Sequence, residues 1–191
     1  MNPRSKSREP ARPIAVRPPP AVAAAAAERT WRELLRRCRV LALATTSPGG
    51  SWSAPLFFAA CDDDRDREPR LPGRCLVFLT SPRSRHGRDL TRDSRCSAAL
   101  WLAPRAIGSL RGVQIVGRAR PAGGPLGSRA KTAFLARHPA AAERVARAAG
   151  ERLYVLAIDA LKITDNRRGF GWKCTLRPGD QPPKTSNRCG T

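Results

Sequence analysis

One seven-residue stretch, Thr80-Ser81-Pro82-Arg83-Ser84-Arg85-His86, gathers the residue types that hold a phosphate. Thr80, Ser81 and Ser84 supply hydroxyl donors, and Arg85 supplies a planar fork suited to phosphate oxygens. The stretch follows an apolar run, Cys75 to Thr80, that reads as a buried strand. Ser81 as N-cap and Pro82 at the first helical position predict a short helix immediately afterwards. Unpaired amides and the positive end of the helix dipole would then face an anion. A plainer reading stands beside this one: Ser81 caps a helix and the arginines form a solvated face. His86 adds little alone, because an exposed histidine beside a helix start is commonplace.

Gln114 interrupts an otherwise apolar run, Leu110 to Arg120. A buried amide must find partners, in a ligand edge or across the sheet, unless it faces solvent. Gly112 and Gly117 bracket it, which suits either a bulge or close approach by a ligand. Other chemistries lack their residues. There is no Gly-x-x-x-x-Gly-Lys loop, no Gly-x-Gly-x-x-Gly after a strand and no serine elbow. The six cysteines form no Cys-x-x-Cys pair, and only His86 and His138 could join them, so zinc spacing is absent. Asp62-Asp63-Asp64 lies among arginines in a polar stretch, where surface pairing is expected.

The elements that must position these residues are legible from periodicity. Trp31, Leu34, Leu35 and Cys38 recur at helical spacing within residues 28–39. Val40 to Thr45 and Trp52 to Ala60 are apolar runs joined by Pro48-Gly49-Gly50, which predicts a hairpin. Trp52, Ala54, Leu56, Phe58 and Ala60 share one face of it, with Ser53, Pro55 and Phe57 on the other. Residues 62–73 read as a solvated loop. Cys75–Thr80, Cys96–Leu102, Leu110–Arg120 and Leu153–Thr164 read as further strands. Residues 127–149 read as a helix pair broken by Pro139, with Phe134 and Leu135 inward and Gly150 as the stop. Six strands with few, short helices predict a mainly β (α+β) closed barrel rather than a doubly wound sheet.

The 191 residues suit one domain over residues 28–174. Residues 1–27 are expected to be a disordered basic, Pro/Ala-rich leader, and residues 175–191 a disordered tail. No apolar run is long enough to span a bilayer. The net charge of +21 points to anionic partners, yet the excess is spread along the domain and not gathered in a stripe with interleaved aromatics. Only five of the 36 basic residues are lysines, so a coding bias toward arginine accounts for the charge as well as nucleic-acid binding does. Cysteines placed in apolar runs suit a reducing, cytoplasmic setting.

Three segments carry a resemblance: Leu110-Arg111-Gly112-Val113-Gln114-Ile115-Val116-Gly117-Arg118, Ile163-Thr164-Asp165-Asn166, and Gly169-Phe170-Gly171-Trp172-Lys173. Across about residues 30–174 the chain resembles the pyridoxamine 5′-phosphate oxidase-like, FMN-binding split-barrel family, in a subgroup of bacterial proteins without an assigned activity. The resemblance implies a six-stranded split barrel, FMN as cofactor, and a homodimer with the flavin at its interface. Thr80, Ser81, Arg85, His86 and Leu90 fall on the family's phosphate-binding pattern. Its usual lysine falls at His86, which leaves open whether Arg85 or His86 meets the phosphate. Thr45, with Ser53, Ala54 and Pro55, matches the two strands whose backbone borders the flavin ring. Gln114 would meet the ring's pyrimidine edge, and Trp172 or Lys173 would reach the partner's site.

The implied function is a flavin-dependent oxidoreductase of unknown substrate, with no acid or base identified. Pyridoxamine 5′-phosphate oxidase activity itself is not implied, because that enzyme's substrate-phosphate residues are missing. The alternatives are a non-catalytic flavin or haem binder on the same barrel, or an arginine-rich nucleic-acid binder.

Overall fold

Every apolar run named above becomes a strand in the computed structural model, which describes residues 21–61, 74–147 and 150–177. In chain order they are β1 (Val40–Ser47), β2 (Gly50–Cys61), β3 (Cys75–Thr80), β4 (Arg95–Leu102), β5 (Arg111–Pro121), β6 (Arg152–Asp165) and β7 (Lys173–Leu176). All pair antiparallel, in the order β3-β2-β1-β4-β5-β6-β7. The first half of β6, Arg152 to Ala157, also pairs with β3, which closes six strands into a barrel. Its second half carries β7 along Leu161 to Thr164. The expected split barrel is therefore present, and β7 is an addition to it.

Among the described residues four helices pack on the barrel: α1 (Ala21–Arg37), α2 (Arg85–Arg92), α3 (Gly124–Arg137) and α4 (Ala142–Arg147). Helix α1 begins at Ala21, not at residue 28. Alanine is the best helix former, and Ala24 and Ala27 sit in the main core with Trp31 and Leu34. Residues 21–27 thus belong to the domain and not to a leader. The expected tail yields ground too, because β7 takes in Thr175 and buries Leu176. The expectations for residues 1–20, 62–73 and 178–191 lie outside the described residues.

Two apolar layers result. The barrel interior holds Leu41, Leu43, Phe58, Phe78, Leu100, Ile115 and Leu156, and α1 closes it. Large side chains of this kind contribute about 1.5–3 kcal/mol each on full burial. A smaller layer lies under α3, where Ala130 and Phe134 meet Ala59, Val77 and Val155. Leu135 is only half-buried, so Phe134 alone carries the inward face expected of that pair. Pro139 ends α3 and starts a single 3-10 turn to Ala141, as a ring that blocks helix continuation should. Arg137, in the last turn of α3, donates to the carbonyls of Leu35 (2.7 Å) and Cys38 (2.5 Å), satisfying the end of α1. Among the described residues no helix is long and apolar enough to cross a membrane.

Candidate functional site

The segment after β3 folds differently in one respect from its sequence reading. Helix α2 starts at Arg85, and its N-cap is Ser84, whose Oγ accepts from the Gly87 amide at 3.1 Å. Ser81 instead begins a tight turn: its carbonyl accepts from the Ser84 amide (3.0 Å) and its Oγ from the Arg83 amide (3.1 Å). Both serines carry cap chemistry, and the extended backbone at Ser84 (φ −64°, ψ 161°) decides between them. The turn is held by Gly87, where a Cβ would lie 2.2 Å from the Ser81 carbonyl oxygen.

This geometry separates the proposed phosphate ligands into two sets. Ser84 Oγ is spent, since it also donates to the Ser81 carbonyl at 2.7 Å. Thr80 and His86 are buried and bonded to each other, Oγ1 to Nε2, at 2.5 Å. Burial holds the His86 imidazole below its usual pKa, and the Asp89 carboxylate only partly offsets this. Ser81 Oγ keeps its proton to donate. Among the described residues, no acceptor meets the Arg85 and His86 amides that open the helix. The Arg85 guanidinium reaches the β1–β2 turn, 3.4 Å from the Gly49 carbonyl and 4.5 Å from the centroid of the Trp52 ring. No carboxylate among the described residues pairs with it, unlike Arg95 with Asp93 or Arg144 with Glu151. Arg85 thus lies over Trp52 at the hairpin tip, while the His86 ring is buried against Thr80.

Trp52 was not legible as a site residue. Alternation put it on the inward face with Ala54 and Phe58, but at the hairpin tip it stands beyond the barrel, 45% exposed, as a platform for Arg85. Thr45 does point inward, where its hydroxyl donates to buried Asp89 at 2.8 Å. Ala54 is likewise buried. Neither side chain can touch a ligand on the outer surface, and only their backbone is available there.

Ser53, Pro55 and Gln114 face outward. The strand register sets Pro55, Ala42, Ala99, Gln114 and Lys162 side by side in one row across β2, β1, β4, β5 and β6. Ser53, Ala44, Ser97, Val116 and Ala160 form the next row. Gln114 is therefore exposed, the solvent-facing alternative of its sequence reading, and lies about 14 Å from Pro55 across three strand spacings. Small residues predominate where these rows start, at Ser53, Ala44 and Ser97, and large apolar side chains are exposed on the same outer face: Phe57 is 60% exposed, Trp101 55% and Val116, in the second row, 56%. Gly117 marks a register shift in β5, and its missing side chain admits the Ala157 carbonyl, 2.1 Å from where a Cβ would be. Sheet backbone, not a ligand, occupies that space.

Trp172 is not part of this surface. It precedes β7, packs half-buried against the main core, and lies under the Arg168 guanidinium at 5.5 Å. There it belongs to a network around Asp165, which is fully buried. Asp165 accepts from Thr30 Oγ1 (3.0 Å) and from Arg167 Nε (3.1 Å) and NH2 (3.0 Å). Arg111, its partner across β5 and β6, pairs with Glu33 of α1 at 2.5 Å. Asn166 donates to the Ile107 carbonyl and accepts from the Gly171 amide, shaping a turn that leaves Phe170 exposed. The residues that carried much of the resemblance thus lock a helix to the barrel.

Residues 27–165 match the family model described as pyridoxamine 5′-phosphate oxidase. The chain belongs to the pyridoxamine 5′-phosphate oxidase family. A curated relative of this family member, UPF0306 protein YhbP of Salmonella paratyphi A, is 31% identical over 98 residues, which cover 51% of this chain and 63% of the relative. The chain thus spans less than two thirds of that relative's length. A heme binding protein from Mycobacterium smegmatis is similar in structure with a TM-score of 0.63, at 22% identity, over 85% of this chain and 60% of that one. A FAD-binding protein from Mesorhizobium loti gives 0.51 at 16% identity, over 69% of this chain and 87% of that one. At these identities the likeness to the two structures is one of fold.

Proposed function

We propose that this member of the pyridoxamine 5′-phosphate oxidase family binds FMN and acts as a flavin-dependent oxidoreductase on a small molecule. The observation that carries this is Arg85: a guanidinium without a carboxylate partner among the described residues, held over Trp52 beside two helix amides that no acceptor among those residues meets. Those donors, with Ser81 Oγ, fit one phosphate monoester. The rows of small residues starting at Ser53 leave room for a flat ring next to that seat, and Gln114 offers its amide to a ring edge. Bound flavin would supply the redox chemistry. This chain's residues would anchor the phosphate, set the ring against the sheet and keep water from one of its faces.

The exposed apolar rim, Phe57, Trp101 and Val116, supports a second copy covering this surface in a homodimer. In that arrangement Trp172, remote from Arg85 within one copy, would come from the partner. Purification with FMN, followed by a visible spectrum and mass analysis of the released cofactor, tests the proposal. The expected cofactor is FMN at one per chain, and haem or FAD in its place would refute it.

A further inference from the structure

Two cysteines meet on the side of the barrel away from Arg85. Cys61 ends β2 and Cys75 begins β3, and the register sets them directly opposite each other. Directly opposed residues of antiparallel strands share a face, with Cα atoms about 4.5–5.5 Å apart. Disulfides span Cα separations of about 4.4–6.8 Å, so no strand need move to join them. Both side chains are buried in the layer beneath α3, and the Cys75 thiol leans toward the Cys61 carbonyl. An open cleft of about 440 Å³ reaches Cys61, lined also by Ser128, Arg129 and Thr132 of α3.

The remaining described cysteines have no such neighbour. Cys96 stands opposite Gly117 and Cys174 opposite Ile163. Cys38 donates to the Trp101 carbonyl at 3.4 Å. Burial raises the Cys38 thiol and pushes that of Cys96 up to about 12; what sets Cys61 and Cys75 apart is not burial but their placement opposite each other.

We propose that Cys61 and Cys75 are an oxidation-sensitive dithiol that closes to a disulfide when a small disulfide such as oxidised glutathione enters the Arg129 cleft. The Cys61 thiol gives up its proton to water, and its sulfur attacks one sulfur of glutathione disulfide. The S–S bond of the oxidant breaks and one glutathione leaves as thiolate. The Cys75 sulfur, after losing its proton, then displaces the second glutathione and the Cys61–Cys75 bond forms. Two electrons pass from the protein to the oxidant, and the two protons complete two glutathione thiols. The bridge would tie β2 to β3 and enclose residues 62–74, which limits the unfolded chain.

The test uses the full, folded chain. It is exposed to oxidised glutathione without denaturant, blocked with iodoacetamide, and digested with trypsin, which cleaves between the two cysteines at Arg65, Arg67, Arg70 and Arg74. The expected product is a linked Cys61–Cys75 peptide pair that separates on reduction, with Cys38, Cys96 and Cys174 alkylated. Cys75→Ser should instead trap a glutathione adduct on Cys61. The oxidised native chain should melt at a higher temperature than the reduced one. Recovery of Cys61 and Cys75 as alkylated thiols after prolonged exposure, or linked to other cysteines, would overturn the proposal. Mapping of the native chain decides the matter even if the variant fails to fold.

Discussion

Thr30 of α1 donates a 3.0 Å hydrogen bond to Asp165 at the end of β6, joining residues 135 positions apart in the chain. Burial alone would raise the Asp165 carboxyl; the hydrogen bonds from Arg167 and Thr30 outweigh it and leave the group below the usual carboxylate range. A depressed acid contributes stability above its unfolded pKa of about 3.9 and loses it as pH falls through the folded value. Asp165→Ala strands Arg167 and Arg168 and should cost about 3 kcal/mol in urea unfolding near neutral pH. Asp165→Asn should also flatten the acid limb, so that the two stability curves converge below about pH 4.

Gly87→Ala tests the turn that shapes the anion seat. With a Cβ aimed at the Ser81 carbonyl, the Ser81–Ser84 turn must shift. The expected cost is about 1–3 kcal/mol in thermal or urea unfolding, with weaker FMN retention. Gly49→Ala, near the same site but with space for a Cβ, should change stability by less than about 0.5 kcal/mol.

His86 gives the site a pH dependence. Its folded pKa is lowered, so the unfolded chain takes up the proton first as pH falls below about 6.5. Stability contributed by neutral, buried His86 is present above that value and declines as pH drops toward the folded pKa. A melting series from pH 7.5 to 5 should show this decline, and His86→Asn should flatten it. An unchanged slope in the variant would mean that another group titrates in this window.

Much of the scaffold was legible because strands of this barrel are apolar runs bounded by turn residues. Cys75 to Thr80 and the hairpin around Gly49-Gly50 fall where their residues place them. Misreadings share a cause: sequence shows composition, not which surface a residue faces. Gln114 stands in an apolar run, and composition alone left a buried amide and a solvent-facing one both open; the register puts it on the outer face with Val116. Ala21 to Ala27 follow three prolines and read as leader, while their small side chains let α1 seat against the barrel. Lys173 to Leu176 is too short to announce a strand, and exists because β6 outlasts its pairing with β3. Ser81 and Ser84 are both good caps, and only backbone geometry separates them.

The outer face makes a prediction about assembly. If a second copy covers Phe57, Trp101 and Val116, the chain should sediment as a dimer, and Val116→Asp should yield a folded monomer. A carboxylate buried within an apolar interface is left without a partner and costs several kcal/mol of association. A native chain that stays monomeric at high concentration would contradict the shared flavin site.

The most direct test is titration of the apo chain with FMN, followed by quenching of flavin fluorescence, with Arg85→Ala in parallel. One FMN should bind per native chain, and the substitution should weaken binding roughly 10- to 100-fold, the equivalent of one charge-assisted phosphate contact. A native chain that takes up no flavin, or an Arg85→Ala chain that binds it equally well, would contradict the assignment.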